Sequence, residues 1–224
     1  MVLYQVARSA VSPVASVVWH PKVEGAHNIP LKGGVLLASN HLSFIDSVII
    51  PLVAPRQVRF LAKADYFTGS GVKGTASRLW FETMGMIPVE RDDSQAAAKS
   101  LALAMQVLGA GQAFGIYPEG TRSRDGRLYR GHAGVAYLAL TAGVPIVPVG
   151  LIGTDEVQPI GDNRLHRGRV TVRFGEPIDP VNAWAGVPAG RARRALTNQV
   201  MDAIADLSGQ ERADEYNERP ATTV

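Results

Sequence analysis

The chain has no cysteine in its 224 residues. That excludes thiol nucleophiles, disulfides and sulfur-rich metal sites, and it fits a reducing compartment. The five histidines, at positions 20, 27, 41, 132 and 166, show no H-E-x-x-H or similar ligand spacing, so no metal and no metal-based cofactor is expected. No G-x-S-x-G stretch is present to form a serine-hydrolase elbow. No basic run is interleaved with aromatics, so nucleic acid is not an expected partner. The formal charge of +3 suits an anionic membrane surface or a phosphorylated substrate, and equally an ordinary basic enzyme.

Charge is also missing over a long stretch: residues 131–154 contain no Asp, Glu, Lys or Arg. That length invites a transmembrane reading. Gly143, Pro145 and Pro148 interrupt it, however, and the pattern changes from a buried helix over Ala133–Thr141 to a short strand over Val144–Leu151. The remaining composition, 46% hydrophobic and 19% charged, is that of a globular chain with a full core.

Apolar runs alternate with amphipathic stretches, which predicts a single α/β domain with a mostly parallel central sheet flanked by helices. Strands are expected at Gly34–Ser39, Val58–Ala62, Met86–Glu90, Ala113–Tyr117, Ile146–Leu151 and Val170–Phe174. Helices are expected at Ser94–Leu108, with Gly109 as its C-cap, and at Arg191–Leu207. Residues 1–20 form an N-terminal apolar helical segment in which Leu3, Val6, Ala7, Ala10, Val14, Val17 and Val18 recur at helical spacing around a lone Arg8. Two readings stay open there: a helix packed on the domain, or an interfacial segment resting among lipid headgroups. Pro13 is expected to kink or split it. The main domain covers 21–208, and 209–224 reads as a polar, mobile tail.

Two segments carry chemistry. Asn40-His41-Leu42-Ser43-Phe44-Ile45-Asp46 follows an apolar strand and sets an imidazole near a carboxylate. Such a pair can remove a proton from a hydroxyl, the acid fixing the tautomer of the base. Ser43-x-x-Asp46 is also a capping-box-like pattern, and the spacing alone does not choose between the two roles. Tyr117-Pro118-Glu119-Gly120-Thr121-Arg122-Ser123 follows a second strand. Its glycine loosens the turn, and Arg122 can hold phosphate in a two-pronged way, although a solvated basic loop would look the same. Ligands of open α/β sheets sit beyond the carboxyl ends of the strands, which predicts that His41 and Glu119 share one rim. Gly69-Ser70-Gly71-Val72-Lys73-Gly74 fits the dinucleotide pattern G-x-G-x-x-G, but the turn lies six residues from its strand, so a flexible loop is the better reading.

Taken in order, these stretches resemble the glycerolipid (lysophospholipid) acyltransferases. The first segment resembles their H-x4-D block, and Gly85-Met86-Ile87-Pro88-Val89-Glu90-Arg91 resembles the second. Pro118–Ser123 resembles the third and Val144-Pro145-Ile146-Val147-Pro148-Val149 the fourth. The size is similar to that of the bacterial 1-acylglycerol-3-phosphate acyltransferases. The resemblance implies acyl transfer from acyl-CoA or acyl-carrier protein, as co-substrate, to the free hydroxyl of a lysophospholipid, with His41 as general base and Asp46 as its orienting acid. It implies substrate-binding roles for Glu119, Gly120, Thr121 and Arg122 at the acceptor's phosphate, for Arg91, and for Lys63 in Phe60-Leu61-Ala62-Lys63-Ala64. It also implies work at a membrane surface, on the cytoplasmic face, as a peripheral or monotopic protein. A nicotinamide-dependent oxidoreductase using Gly69–Gly74 and a non-catalytic lipid-binding module are the competing readings.

Overall fold

The computed structural model describes residues 2–90, 95–162, 164–180, 184 and 186–218. Helix α1 (Val2–Trp19) and strand β1 (Lys22–Glu24) come first. They are followed by β2 (Val35–Ser39), α2 (Asp46–Val53), β3 (Val58–Arg59), β4 (Leu61–Lys63), α3 (Asp65–Thr68), α4 (Gly71–Thr83) and β5 (Ile87–Val89). The second half contributes α5 (Ala96–Gly109), β6 (Ala113–Ile116), α6 (Gly134–Ala142), β7 (Ile146–Ile152), α7 (Thr154–Val157), β8 (Thr171–Phe174) and α8 (Ala189–Ser208).

Six strands form one sheet in the order β1-β8-β7-β2-β6-β3, while β4 and β5 pair separately. Neighbours in the large sheet are parallel except β7 and β8. This is the expected α/β domain with a mostly parallel sheet. The run Val35-Leu36-Leu37-Ala38 explains why β2 is central: all of it is buried, as a strand covered on both faces requires. Val35 and Leu37 enter a core shared with α1, α2 and α4. Leu36 and Ala38 enter another shared with α5, α6 and α8. Because side chains alternate along a strand, one apolar run serves both layers.

α1 packs on the domain through Tyr4, Ala15 and Trp19, and the Tyr4 hydroxyl donates to the Pro51 carbonyl at 2.7 Å. It is one helix with Pro13 inside it. No helix among the described residues is long and apolar enough to cross a membrane.

Four details depart from the sequence reading. The strand predicted over Val58–Ala62 breaks at Phe60, leaving β3 in the large sheet and β4 in the small one. Phe60 is buried with its ring over Gly115, where any β-carbon would lie 2.1 Å from that ring. α5 ends at Gly109, but its C-cap is Ala110, and the left-handed residue is Gly111 at φ 70°. Gly69–Gly74 is not a flexible loop: α4 begins at Gly71, and Gly74 packs so closely on Gly69 that a β-carbon would approach its carbonyl to 2.1 Å. With a helix rather than a strand before it, this glycine run lacks the setting of a dinucleotide site.

The fourth departure is the C-terminal segment, which does not leave the domain at Gly209. The Leu128 amide donates to Glu211 at 2.8 Å, the Ala213 amide to Leu128 at 2.8 Å, and the Arg130 amide to Glu215 at 2.9 Å. Polar side chains do not prevent a backbone from pairing, and Ala213 is buried.

Gly150 in β7 brings α8 onto the sheet, since a β-carbon there would lie 2.6 Å from Leu207 backbone and side chain alike. Gly150→Ala is therefore expected to destabilise the domain by about 1–3 kcal/mol, as overpacking does. Urea unfolding of the purified chain measures this; an unchanged midpoint would show that α8 shifts freely.

Candidate active site

β2 and β6 are parallel neighbours, so the segments leaving them emerge at one rim. Asn40, just past β2, is buried, and its side chain imitates a strand residue. Its Nδ2 donates to the Leu151 carbonyl at 2.9 Å, and its Oδ1 accepts from the Leu151 amide at 2.8 Å. That pairing ties β2 to β7 where the backbone turns away. The next residue, His41, is held at both backbone groups. Its amide donates to Glu119 Oε1 at 3.0 Å, and its carbonyl accepts from the Ser123 amide at 2.7 Å. The two chemically loaded segments, 78 residues apart, thus close on each other.

His41 Nδ1 lies 2.9 Å from Asp46 Oδ2. Asp46 is fully buried, and the same oxygen also accepts from the amides of Leu42 and Ser43, each at 2.8 Å. The two roles that the spacing left open are therefore filled together: one oxygen gathers the amides ahead of α2 and holds the imidazole. Ser43 does not cap the helix. Its hydroxyl donates to the Gln158 carbonyl at 2.7 Å, and the N-cap position falls on Ile45 without a side-chain bond. A carboxylate only accepts, so Nδ1 carries the proton and Nε2 keeps its lone pair, the form a general base needs.

The imidazole lies flat on the Tyr117 ring, with centroids 3.7 Å apart and planes 8° from parallel. Phe60 also stacks on Tyr117 at 5.4 Å, and the Tyr117 and Ser47 hydroxyls are 2.8 Å apart. The sequence reading quoted Tyr117 only as the start of a motif. Its position at the end of β6, directly before Pro118, is the signal that marks it.

Glu119, for which the resemblance implied substrate binding, makes its hydrogen bonds here to the backbone of the site. It is fully buried and does not line the cavity, and its oxygens accept from the amides of His41 and Tyr129, each at 3.0 Å. Burial pushes its carboxyl up to about 7, against the opposing pull of those two amides. It braces the site. The Gly120 amide is likewise occupied, donating to the Tyr117 carbonyl at 3.0 Å within a turn that Gly120 enters at φ 78°. It is therefore not a donor for a substrate oxyanion.

A cavity of about 420 Å³ opens beside His41. Tyr117, Gly120, Thr121 and Arg122 line it near the imidazole, while Phe60, Leu61, Val89, Leu101 and Leu138 make its apolar part. Ala96, Ala97 and Ala104 of α5 face it too, and their small side chains leave the space open. Arg122 is half-buried and has no acidic partner among the described residues. Lys63 ends β4, pairs with Asp65 at 2.6 Å and is not among the lining residues. Arg91 lies outside the described residues.

The shift at Glu119 has a signed consequence for stability. The folded chain keeps a proton there up to about pH 7, whereas the unfolded chain releases it near its ordinary value of 4.5. Between these values the folded state binds more protons, so this group's contribution to stability falls as pH rises. Glu119→Gln is expected to flatten that decline in urea unfolding between pH 5 and 8. An identical pH slope in both proteins would refute the buried titration.

Residues 20–152 match the protein family described as Acyltransferase. A chloroplastic 1-acyl-sn-glycerol-3-phosphate acyltransferase of Arabidopsis thaliana is 33% identical over 158 residues, covering 70% of this chain and 43% of that protein. The chain thus spans less than half the length of that relative. The 1-acyl-sn-glycerol-3-phosphate acyltransferase of Bacillus subtilis is 23% identical over 210 residues, covering 93% of this chain and 98% of its own. Among solved structures, the 1-acyl-sn-glycerophosphate acyltransferase PlsC of Thermotoga maritima superposes with a TM-score of 0.70 at 23% identity, over 91% of this chain and 79% of that one, which establishes the common fold. The family match takes in all four sequence blocks together with the bonded His41–Asp46 pair, and the chain belongs to the Acyltransferase family.

Proposed function

We propose that this chain is a 1-acylglycerol-3-phosphate O-acyltransferase, moving a fatty acyl group from acyl-CoA or acyl-carrier protein to the free hydroxyl of 1-acylglycerol 3-phosphate and so making phosphatidic acid. The observation that carries the reading is the His41–Asp46 pair at 2.9 Å, its acid buried and His41 opening onto a cavity also lined by Arg122. The names of the relatives in Arabidopsis thaliana and Bacillus subtilis agree with it.

In this mechanism Asp46 holds the Nδ1 proton and Nε2 takes the proton of the acceptor hydroxyl. That oxygen attacks the thioester carbonyl, the carbon–sulfur bond breaks, and the imidazolium returns the proton to the leaving thiolate. No acyl-enzyme forms. Stacking on Tyr117 keeps the imidazole in plane through both transfers. Arg122 binds the acceptor's phosphate, and the apolar part of the cavity receives the acyl chain. A non-catalytic lipid-binding module would have no use for a buried acid whose oxygen is turned to an imidazole.

The lipid substrates place the reaction at a membrane, here the cytoplasmic face, with the chain as a peripheral or monotopic protein. One feature supports attachment to a membrane surface. Val6 and Val17 of α1 are exposed, by 62% and 71%, and their spacing puts them with Ala10 and Pro13 along one face. That apolar line suits shallow burial among headgroups.

His41→Ala is expected to lower acyl transfer about 10²–10⁴-fold, the usual worth of a positioned base. A labelled acyl-CoA assay measures it, and a wild-type rate would sink the assignment. Replacing Val6 and Val17 together by Glu leaves the packed face of α1 intact. It is expected to reduce co-sedimentation with phospholipid vesicles at an unchanged melting temperature, and full retention would place attachment elsewhere.

A further inference from the structure

The segment from Gln210 to Asn217 lies beyond the family match at 20–152, yet it runs along the whole loop that carries Arg122. That loop, from Tyr117 to Gly131, contains no helix or strand; Glu119 ties it to itself through the Tyr129 amide, and Ser123 ties it to His41. The C-terminal segment adds a further set of contacts. Its backbone pairs with Leu128 and Arg130, and Gln210 Nε2 donates to the Gly126 carbonyl at 2.7 Å. At its far end Asn217 Nδ2 donates to the carbonyl of Arg122 itself at 3.2 Å. The Tyr216 ring stacks on His132, with centroids 4.9 Å apart and planes at 17°. His132 in turn lies over Gly120, where a β-carbon would be 3.2 Å from its ring.

These contacts converge on the two residues of the loop that flank Thr121. We propose that residues 210–217 are a strap that sets the position of Arg122, and with it the affinity for the acceptor's phosphate, Asn217 and Tyr216 being its positioning residues. The proposal rests on the acyltransferase reading and on the phosphate role of Arg122. None of the strap residues lines the cavity, and Asn217 and Tyr216 make no hydrogen bond or ring contact to His41 or Asp46 among the described residues. Asn217 and Tyr216 therefore act on acceptor binding rather than on the base or the acyl donor. Gln210 is different, because its Oε1 accepts from Asn40 Nδ2 at 2.8 Å, one residue from His41.

The test is steady-state kinetics of the full chain with 1-acylglycerol 3-phosphate and acyl-CoA varied in turn, for Asn217→Ala, Tyr216→Ala, Tyr216→Phe and Arg122→Ala. Asn217→Ala and Tyr216→Ala are expected to raise the acceptor KM about threefold to tenfold, the effect of losing one modest contact. The donor KM and kcat should hold. Tyr216→Phe keeps the ring and should behave as the wild type. A raised acceptor KM in Arg122→Ala beside unchanged values in the strap variants overturns the strap alone. An unchanged acceptor KM in Arg122→Ala overturns the phosphate role and the strap with it. A fall in kcat at constant KM, or a lowered melting temperature with equal effects on both substrates, makes the segment a stabilising element only and also overturns the proposal.

Discussion

The site depends on one hydrogen bond, from the amide of His41 to the buried carboxylate of Glu119. Placing a carboxyl where no water reaches it is unfavourable, and the rise of its pKa to about 7 expresses that cost. The chain gains position in return. Glu119 engages one backbone donor on each oxygen, tying the segment after β2 to the start and the far side of the loop after β6. Ser123 closes the ring by donating to the His41 carbonyl. With its amide and its carbonyl both held, His41 has little backbone freedom left, and Asp46 and Tyr117 orient the imidazole.

The sheet makes this closure possible. β2 lies between β6 and β7, all three parallel, so the His41 segment has a neighbour on either side. On the β7 side, Asn40 substitutes its amide side chain for a backbone pair with Leu151. On the β6 side, Glu119 and Ser123 do the equivalent work through His41. A strand normally loses its partners where it ends. Here side chains continue the pairing for two residues, which carries His41 past the sheet edge and still holds it rigidly.

Much of this was legible in the sequence, for definable reasons. β2 and β7 are continuous apolar runs bounded by polar or glycine residues, so their existence and central position follow from composition. The common rim of His41 and Glu119 follows once the strands before them are parallel. Phe60 was not legible as a break, because Val58 to Ala62 contains no glycine, proline or other turn residue, and only the missing side chain at Gly115 reveals where the ring goes. The bracing bonds of Glu119 were not legible, because its partners are backbone amides that no sequence pattern displays. The strap was hidden for the same reason. Gln210 to Asn217 is polar enough to look solvated, and its bonds are made largely by main-chain groups that every residue carries.

The arrangement around Asp46 also decides which member of the pair moves the proton in the proposed reaction. Its Oδ2 already accepts from two amides and from the imidazole, so the lone pairs of that oxygen are engaged before any substrate arrives. An acid held this way orients the imidazole and stabilises the charge that develops on it. His41, by contrast, is 15% exposed at its side chain and lines the cavity. The proton therefore travels only between hydroxyl, Nε2 and thiolate, while Asp46, Glu119 and Tyr117 stay fixed around it. The same bonds that hold His41 also hold the loop with Arg122, through Glu119 to Tyr129 and through Ser123 to the His41 carbonyl, so base and phosphate-binding loop are set by one shared frame.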